Sequence, residues 1–94
     1  MAYAIARVRI ADYESFIETF QTRGKEKRAE HGCRGVTVFR STEDPSEIVN
    51  IFDWDREGVE AFMADPEARE IMTAAGLQGP PEFTFAERMA ELDT

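Results

Sequence analysis

Asn50 and Trp54 are the residues of this chain whose types and spacing could do chemistry. They stand four apart in the run Ile48-Val49-Asn50-Ile51-Phe52-Asp53-Trp54. Side chains alternate across a strand, so Ile48, Asn50, Phe52 and Trp54 share one face of this run, and Val49, Ile51 and Asp53 share the other. An amide in the middle of an apolar strand face costs about 1–3 kcal/mol if its hydrogen bonds go unmade. Either the fold satisfies it, through neighbouring backbone or water, or a ligand does. The spacing sets Asn50 and the indole N–H of Trp54 about 13 Å apart along the strand, close enough to flank one aromatic ligand at opposite ends. Trp54 alone reads as a core residue; the pair points to a site for a small aromatic molecule.

Other chemistry finds little support in the residue types. The single histidine, His31, sits where a helix ends, a position that favours a cationic imidazole for reasons unrelated to catalysis. Cys33 follows it too closely to form an oriented Cys-His pair without an unusual turn, and no Ser-His-Asp or Gly-x-Ser-x-Gly pattern supplies another nucleophile. Scattered carboxylates around one histidine give no metal-ligand spacing, so no metal is expected, and no glycine loop is shaped for phosphate. Asp53 and Asp55 mark a solvated strand end or a helix cap. Arg7, Arg9, Arg40 and Arg69 are candidates for holding an anionic ligand, with exposed salt bridges as the default alternative.

The composition narrows the partners. A formal charge of −8 over 94 residues repels DNA, RNA and anionic lipid, so no nucleic acid and no membrane is expected. The basic cluster from Arg23 to Arg28, interrupted by Gly24 and Glu26, reads as a solvated helix face. One cysteine allows no internal disulfide, the N-terminus lacks a secretory pattern, and no segment reaches the roughly 18 apolar residues of a membrane helix. A cytoplasmic protein of one domain, residues 1–94, is the expectation.

The elements that must position Asn50 and Trp54 follow from periodicity. Tyr3 to Ile10 alternates as a strand, with Ala4, Ala6, Val8 and Ile10 on one face. Asp12 caps a helix whose stripe is Tyr13, Phe16, Ile17 and Phe20. A charged continuation runs to Glu30 and stops at Gly32, and it is expected to project past the sheet edge. Gly35 to Ser41 forms a second strand, and Thr42 to Ser46 a turn into the Ile48–Trp54 strand. Val59, Phe62 and Met63 begin a second helix, which Asp65-Pro66-Glu67 breaks and restarts through Met72 to a stop at Gly76. Glu82 to Met89 returns as the final strand. The order βαββαβ is a ferredoxin-like α+β fold: a four-stranded antiparallel sheet with its helices on one face. Because the Ile48–Trp54 strand is apolar on both faces, the bare face is expected to meet a second copy, giving a homodimer built as a dimeric α/β barrel.

The segment Asn50-Ile-Phe-Asp-Trp54, followed by Asp55-Arg56-Glu57-Gly58-Val59-Glu60-Ala61-Phe62-Met63 and a proline-containing helix restart, resembles the antibiotic biosynthesis monooxygenase-like family of dimeric α/β barrels. The likeness covers nearly the whole chain as a topology. It implies a cofactor-independent monooxygenase in which Asn50 and Trp54 bind a quinol-type, polyketide-like substrate and stabilise its deprotonated form, which itself activates dioxygen. Met63 falls where the haem-degrading branch carries a histidine, so haem is not implied, and Phe39 occupies a position where a tyrosine would suit quinol chemistry. An enzyme of this kind needs an apolar cavity between sheet and helices, wide enough for an aromatic ring system. Its expected lining is Phe16, Phe20, Phe39, Phe52, Phe62 and Met72 around Asn50 and Trp54. A polyketide cyclase or a non-catalytic small-molecule-binding dimer would use the same cavity. A purely structural protein would have none, with Asn50 bonded internally.

Overall fold

The computed structural model describes residues 2–94. Strand β1 (Ala2–Arg9) buries Ala4, Ala6 and Val8, the alternate set that its sequence pattern marks as apolar. Helix α1 (Tyr13–Phe20) starts at Asp12, whose carboxylate accepts the backbone N–H of Ser15 at 2.9 Å. The helix does not continue to Glu30 as one piece. The Thr22 hydroxyl donates to the Glu18 carbonyl at 2.7 Å, Thr22 leaves the helical region (φ −115°, ψ −94°), and a separate helix α2 (Arg23–Glu30) follows. Its charged face therefore does not project past the sheet edge: Gly24, Lys27 and Arg28 are buried, and α2 packs on α1 and on helix α4. Gly32, at φ 87°, ends α2 in the left-handed region, with the Gly32 N–H donating to the Ala29 carbonyl and the Cys33 N–H to that of Arg28.

Strands β2 (Gly35–Arg40) and β3 (Glu47–Asp53) form a hairpin. Its turn is held by the Ser41 hydroxyl, which accepts from the Asp44 N–H, and by Asp44, which accepts from Ser46. Asp55 caps helix α3 (Arg56–Ala64), accepting from the Gly58 N–H at 2.8 Å. Asp65 ends that helix and caps α4 (Pro66–Ala74), whose first residue is the expected proline. After a left-handed stop at Gly76 (φ 85°), strand β4 (Glu82–Glu87) completes the sheet, ending two residues before Met89. All pairings are antiparallel, in the order β2-β3-β1-β4, which is the ferredoxin-like arrangement expected from the element order.

Two apolar clusters lie between the sheet and the helices. One gathers Ala4, Ala6, Phe52, Trp54, Val59 and Phe62; the other gathers Val8, Ile10, Phe16, Ile48 and Ala75. Phe20 packs on both, bridging them under the α1–α2 junction. The opposite sheet face is uncovered: Phe39 is 52% exposed and Ile51 38%.

Candidate active site

Register decides what surrounds Asn50. Its partners across the ladder are Ala6 on β1 and Val38 on β2, neither of which offers a side-chain polar group. Asn50 is 2% exposed, and its Oδ1 has no hydrogen-bond partner. Among the described residues it is the one buried side-chain oxygen or nitrogen left in that state. The fold thus leaves this amide oxygen unsatisfied, at a cost of about 1–3 kcal/mol.

The Asn50 side chain lines a cavity between the sheet and the helices. Phe16 and Phe20 of α1, Phe52 and Trp54 of β3, Phe62 of α3 and Met72 of α4 form most of its wall. These rings touch one another: Phe16 and Phe20 have centroids 4.9 Å apart, Phe52 and Trp54 5.4 Å, and Trp54 and Phe62 5.2 Å in an edge arrangement. Seven of the eight expected site residues are brought together. Phe39 is not among them. In β2 it alternates with Val36 and Val38, which face the helices, and it lies beside Val49 on the uncovered face. An aromatic side chain there serves that surface and not the cavity.

Trp54 also differs from its expected role. Its Nε1–H donates to the His31 backbone carbonyl at 2.8 Å, so the indole contributes its ring to the cavity wall and its donor to the fold. Gly58 makes that contact possible. A Cβ there would collide with the His31 carbonyl oxygen and lie 2.5 Å from Trp54 Nε1. The His31 end is itself fixed: its Nε2 and Asp65 Oδ2 lie 3.0 Å apart, and the ring stands edge-on to Phe62. Lys27 reaches Asp65 (3.3 Å), Glu30 and Glu67 from α2, tying that helix to α4. The hydrogen bond from His31, then those from the Glu67 N–H and Lys27, hold the Asp65 carboxyl down at about 2. Cys33 is not paired with His31. Burial pushes its thiol above the usual range, and its Sγ donates to the Gly35 carbonyl at 3.6 Å.

A cation that the sequence marked as solvated belongs to the cavity. Arg28 is 7% exposed and its guanidinium lies 3.8 Å from the centroid of Phe20. The arginines considered for an anion are occupied elsewhere: Arg9 pairs with Asp44 at 2.7 Å, Arg7 with Glu47 at 3.9 Å, Arg40 stacks on Tyr13, and Arg69 reaches the Ala64 carbonyl. The signal for Arg28 was Gly24, four residues earlier on the same helix. A side chain there would meet Arg28 Nη1 at 3.0 Å, so this glycine leaves room for the guanidinium.

The cavity is about 60 Å³ and partly open, smaller than expected for a ring system. Outside it lies a groove of about 280 Å³, and Met72, Leu77 and Pro81 border both spaces. A bicyclic ligand fills the inner space only if these three residues yield and the two volumes join. No group of three or more His, Cys, Asp or Glu side chains among the described residues could hold a metal ion. No helix is long and apolar enough to cross a membrane.

A ferredoxin-like sheet with an aromatic-walled cavity under its helices defines a class of small α+β proteins with space between sheet and helices. Within that class, the chain belongs to the antibiotic biosynthesis monooxygenase family, whose model matches residues 1–74. Among solved structures it is similar to SnoaB, a cofactor-independent oxygenase from Streptomyces nogalater. The two are 20% identical over 99% of this chain and 97% of that one, with a TM-score of 0.73. It is also similar to a monooxygenase from the ActVA-Orf6 gene of Streptomyces coelicolor, solved in complex with nanaomycin D. That pair is 26% identical over 99% and 92% of the two chains, with a TM-score of 0.69. A conserved protein from Methanosarcina mazei shares the fold at 16% identity, 93% and 91% coverage and a TM-score of 0.66. No curated protein sequence matches the chain.

Proposed function

We propose that the protein is a cofactor-independent monooxygenase acting on a small aromatic, quinol-type substrate of polyketide character, bound between the sheet and the helices. The observation that carries this reading is the Asn50 amide, buried with its Oδ1 unpartnered in a cavity walled by aromatic rings. The family, the similarity to the cofactor-independent oxygenase SnoaB and the nanaomycin D ligand of the ActVA-Orf6 protein support it.

The chemistry follows from what an amide can do in a dry pocket. Oδ1 accepts a hydrogen bond from the substrate hydroxyl, the hydroxyl gives its proton to solvent as the substrate ionises on entry, and the amide NH₂ stabilises the resulting oxyanion. The electron-rich anion gives one electron to dioxygen, the two radicals join through a new carbon–oxygen bond, and the peroxide takes up a proton from solvent before its O–O bond breaks and water leaves. For an anthrone-like CH₂ the balance is CH₂ plus O₂ giving C=O plus H₂O. The substrate supplies all four electrons, so no flavin or metal is required as reductant. Phe52, Phe20 and the Trp54 ring hold the aromatic plane, and the apolar wall excludes water from the anion.

Incubation with anthrone-like substrates under oxygen, followed spectrophotometrically, should give quinone formation by oxygen insertion at the CH₂ that Asn50→Ala abolishes. Oxidation of no member of such a panel would reduce the protein to a binding module and end the enzyme reading.

The same proposal covers assembly and location. The uncovered face, with Phe39, Val49 and Ile51 on adjacent strands, is of a kind that a second copy would cover, and a homodimer closes the sheets into a barrel. A single free thiol, Cys33, suits the reducing cytoplasm.

A further inference from the structure

Lys27 and Arg28 are neighbours on α2, equally buried, and treated in opposite ways. Lys27 meets three carboxylates, Glu30, Asp65 and Glu67. Arg28 has no carboxylate partner among the described residues; it lies over Phe20 and near Phe52, with the Cys33 thiol beside it. A cation–π contact offsets only part of the desolvation penalty of a buried ion. Arg28 and Asn50 line the same cavity. Gly24, a residue that weakens a helix interior, is what leaves space for the guanidinium.

We propose that Arg28 is the counter-charge of the pocket, selecting aromatic ligands that carry an anionic oxygen, whether a carboxylate or an ionised ring hydroxyl. Asn50 takes the hydroxyl, the rings take the aromatic plane, and Arg28 takes the charge. On a chain of net charge −8, an anionic ligand is repelled by the surface at large, so one unpaired cation inside the cavity is decisive for which molecules stay. Burial alone already pulls the guanidinium below its usual range, and an anion beside it reverses that cost. The inference rests on reading this cavity as an aromatic-ligand pocket, but not on turnover.

The test is calorimetric titration of the full chain with hydroxynaphthoate and, as its counterpart without a carboxylate, naphthol. At neutral pH the wild type should bind hydroxynaphthoate at least about tenfold more tightly, the size of one charge-assisted hydrogen bond. Arg28→Met, whose unbranched stem still covers Phe20, should bind the two alike, and Arg28→Lys should keep part of the preference. Repeating the naphthol titration from about pH 7 to 10, across the ordinary phenol range, separates the two sources of charge. Naphthol binding that tightens with pH in the wild type and not in Arg28→Met assigns an ionised hydroxyl. A flat naphthol profile with tight hydroxynaphthoate binding assigns a carboxylate. No preference for either anion, failure of both probes to bind, or a preference that survives in folded Arg28→Met overturns the proposal. Neither probe needs to be oxidised. A preference without quinol oxidation therefore sinks the monooxygenase reading alone, and quinol oxidation without a preference sinks the role of Arg28 alone.

Discussion

Replacing Asn50 with leucine should make the protein more stable and leave it without function. The amide is 2% exposed, flanked across the sheet by Ala6 and Val38, and its oxygen has no partner. Removing an unsatisfied buried polar atom recovers about 1–3 kcal/mol. Leucine is close to asparagine in reach and branching, so repacking against Phe52 and Phe16 should cost less than about 1.5 kcal/mol. The expected net gain is centred on about 1 kcal/mol. In a domain of this length that raises Tm by roughly 4–8 °C. Urea unfolding followed by circular dichroism should show a higher midpoint with an unchanged slope, while oxidation of anthrone falls to background. A leucine variant less stable than wild type by about 1 kcal/mol or more would refute the reasoning. It would mean that the amide is satisfied inside the folded chain and that its burial is structural.

Three further outcomes follow from the geometry. Gly58→Ala gains about 1 kcal/mol of helix propensity but should lose more through collision with Trp54 and the His31 carbonyl. The variant should therefore be less stable, with emission from the only tryptophan shifted to the red; a more stable variant with unchanged emission would count against the Trp54 anchor. Asp65 is held at about 2, below the ordinary 3.8, so its contribution to stability is full above about pH 4 and lost as pH falls toward 2. The urea midpoint should drop across that window, and Asp65→Asn, which keeps the helix cap, should flatten the drop. Ile51→Lys should convert a sedimenting dimer into a folded monomer; a wild-type protein that sediments as a single chain at micromolar concentration would remove the barrel.

The faces of the sheet were legible because alternation is local: Ile48, Asn50, Phe52 and Trp54 are buried as their spacing requires, and Ala4, Ala6 and Val8 face them from β1. Caps and stops were legible for the same reason, at Asp12, Asp65, Gly32 and Gly76. The same alternation separates Phe39 from Val36 and Val38, and only its aromatic character suggested the cavity. Two features were not legible. The break at Thr22, where the hydroxyl donates to the Glu18 carbonyl, starts a second helix, and the charged run from Arg23 carries no apolar signal that Arg28 is buried in it. The hydrogen bond of Trp54 joins residues 23 apart in the chain across a gap that only Gly58 leaves open, and no periodicity encodes such a meeting.

Those two features change what kind of site this is. On the proposed reading, the indole N–H held by His31 leaves the substrate oxyanion one donor fewer than the Asn50–Trp54 spacing suggested. On the same reading, the buried Arg28 offers that oxyanion a full positive charge, and a fixed cation in a low-dielectric space stabilises an anion more strongly than a neutral N–H does. A pocket that relied on neutral donors would take quinols of any charge and ionise them weakly. A pocket with a buried, unpaired guanidinium favours the ionised form before oxygen arrives. Neutralising Arg28 should therefore raise the pH at which a quinol becomes reactive, whereas loss of Asn50 should lower the rate at every pH.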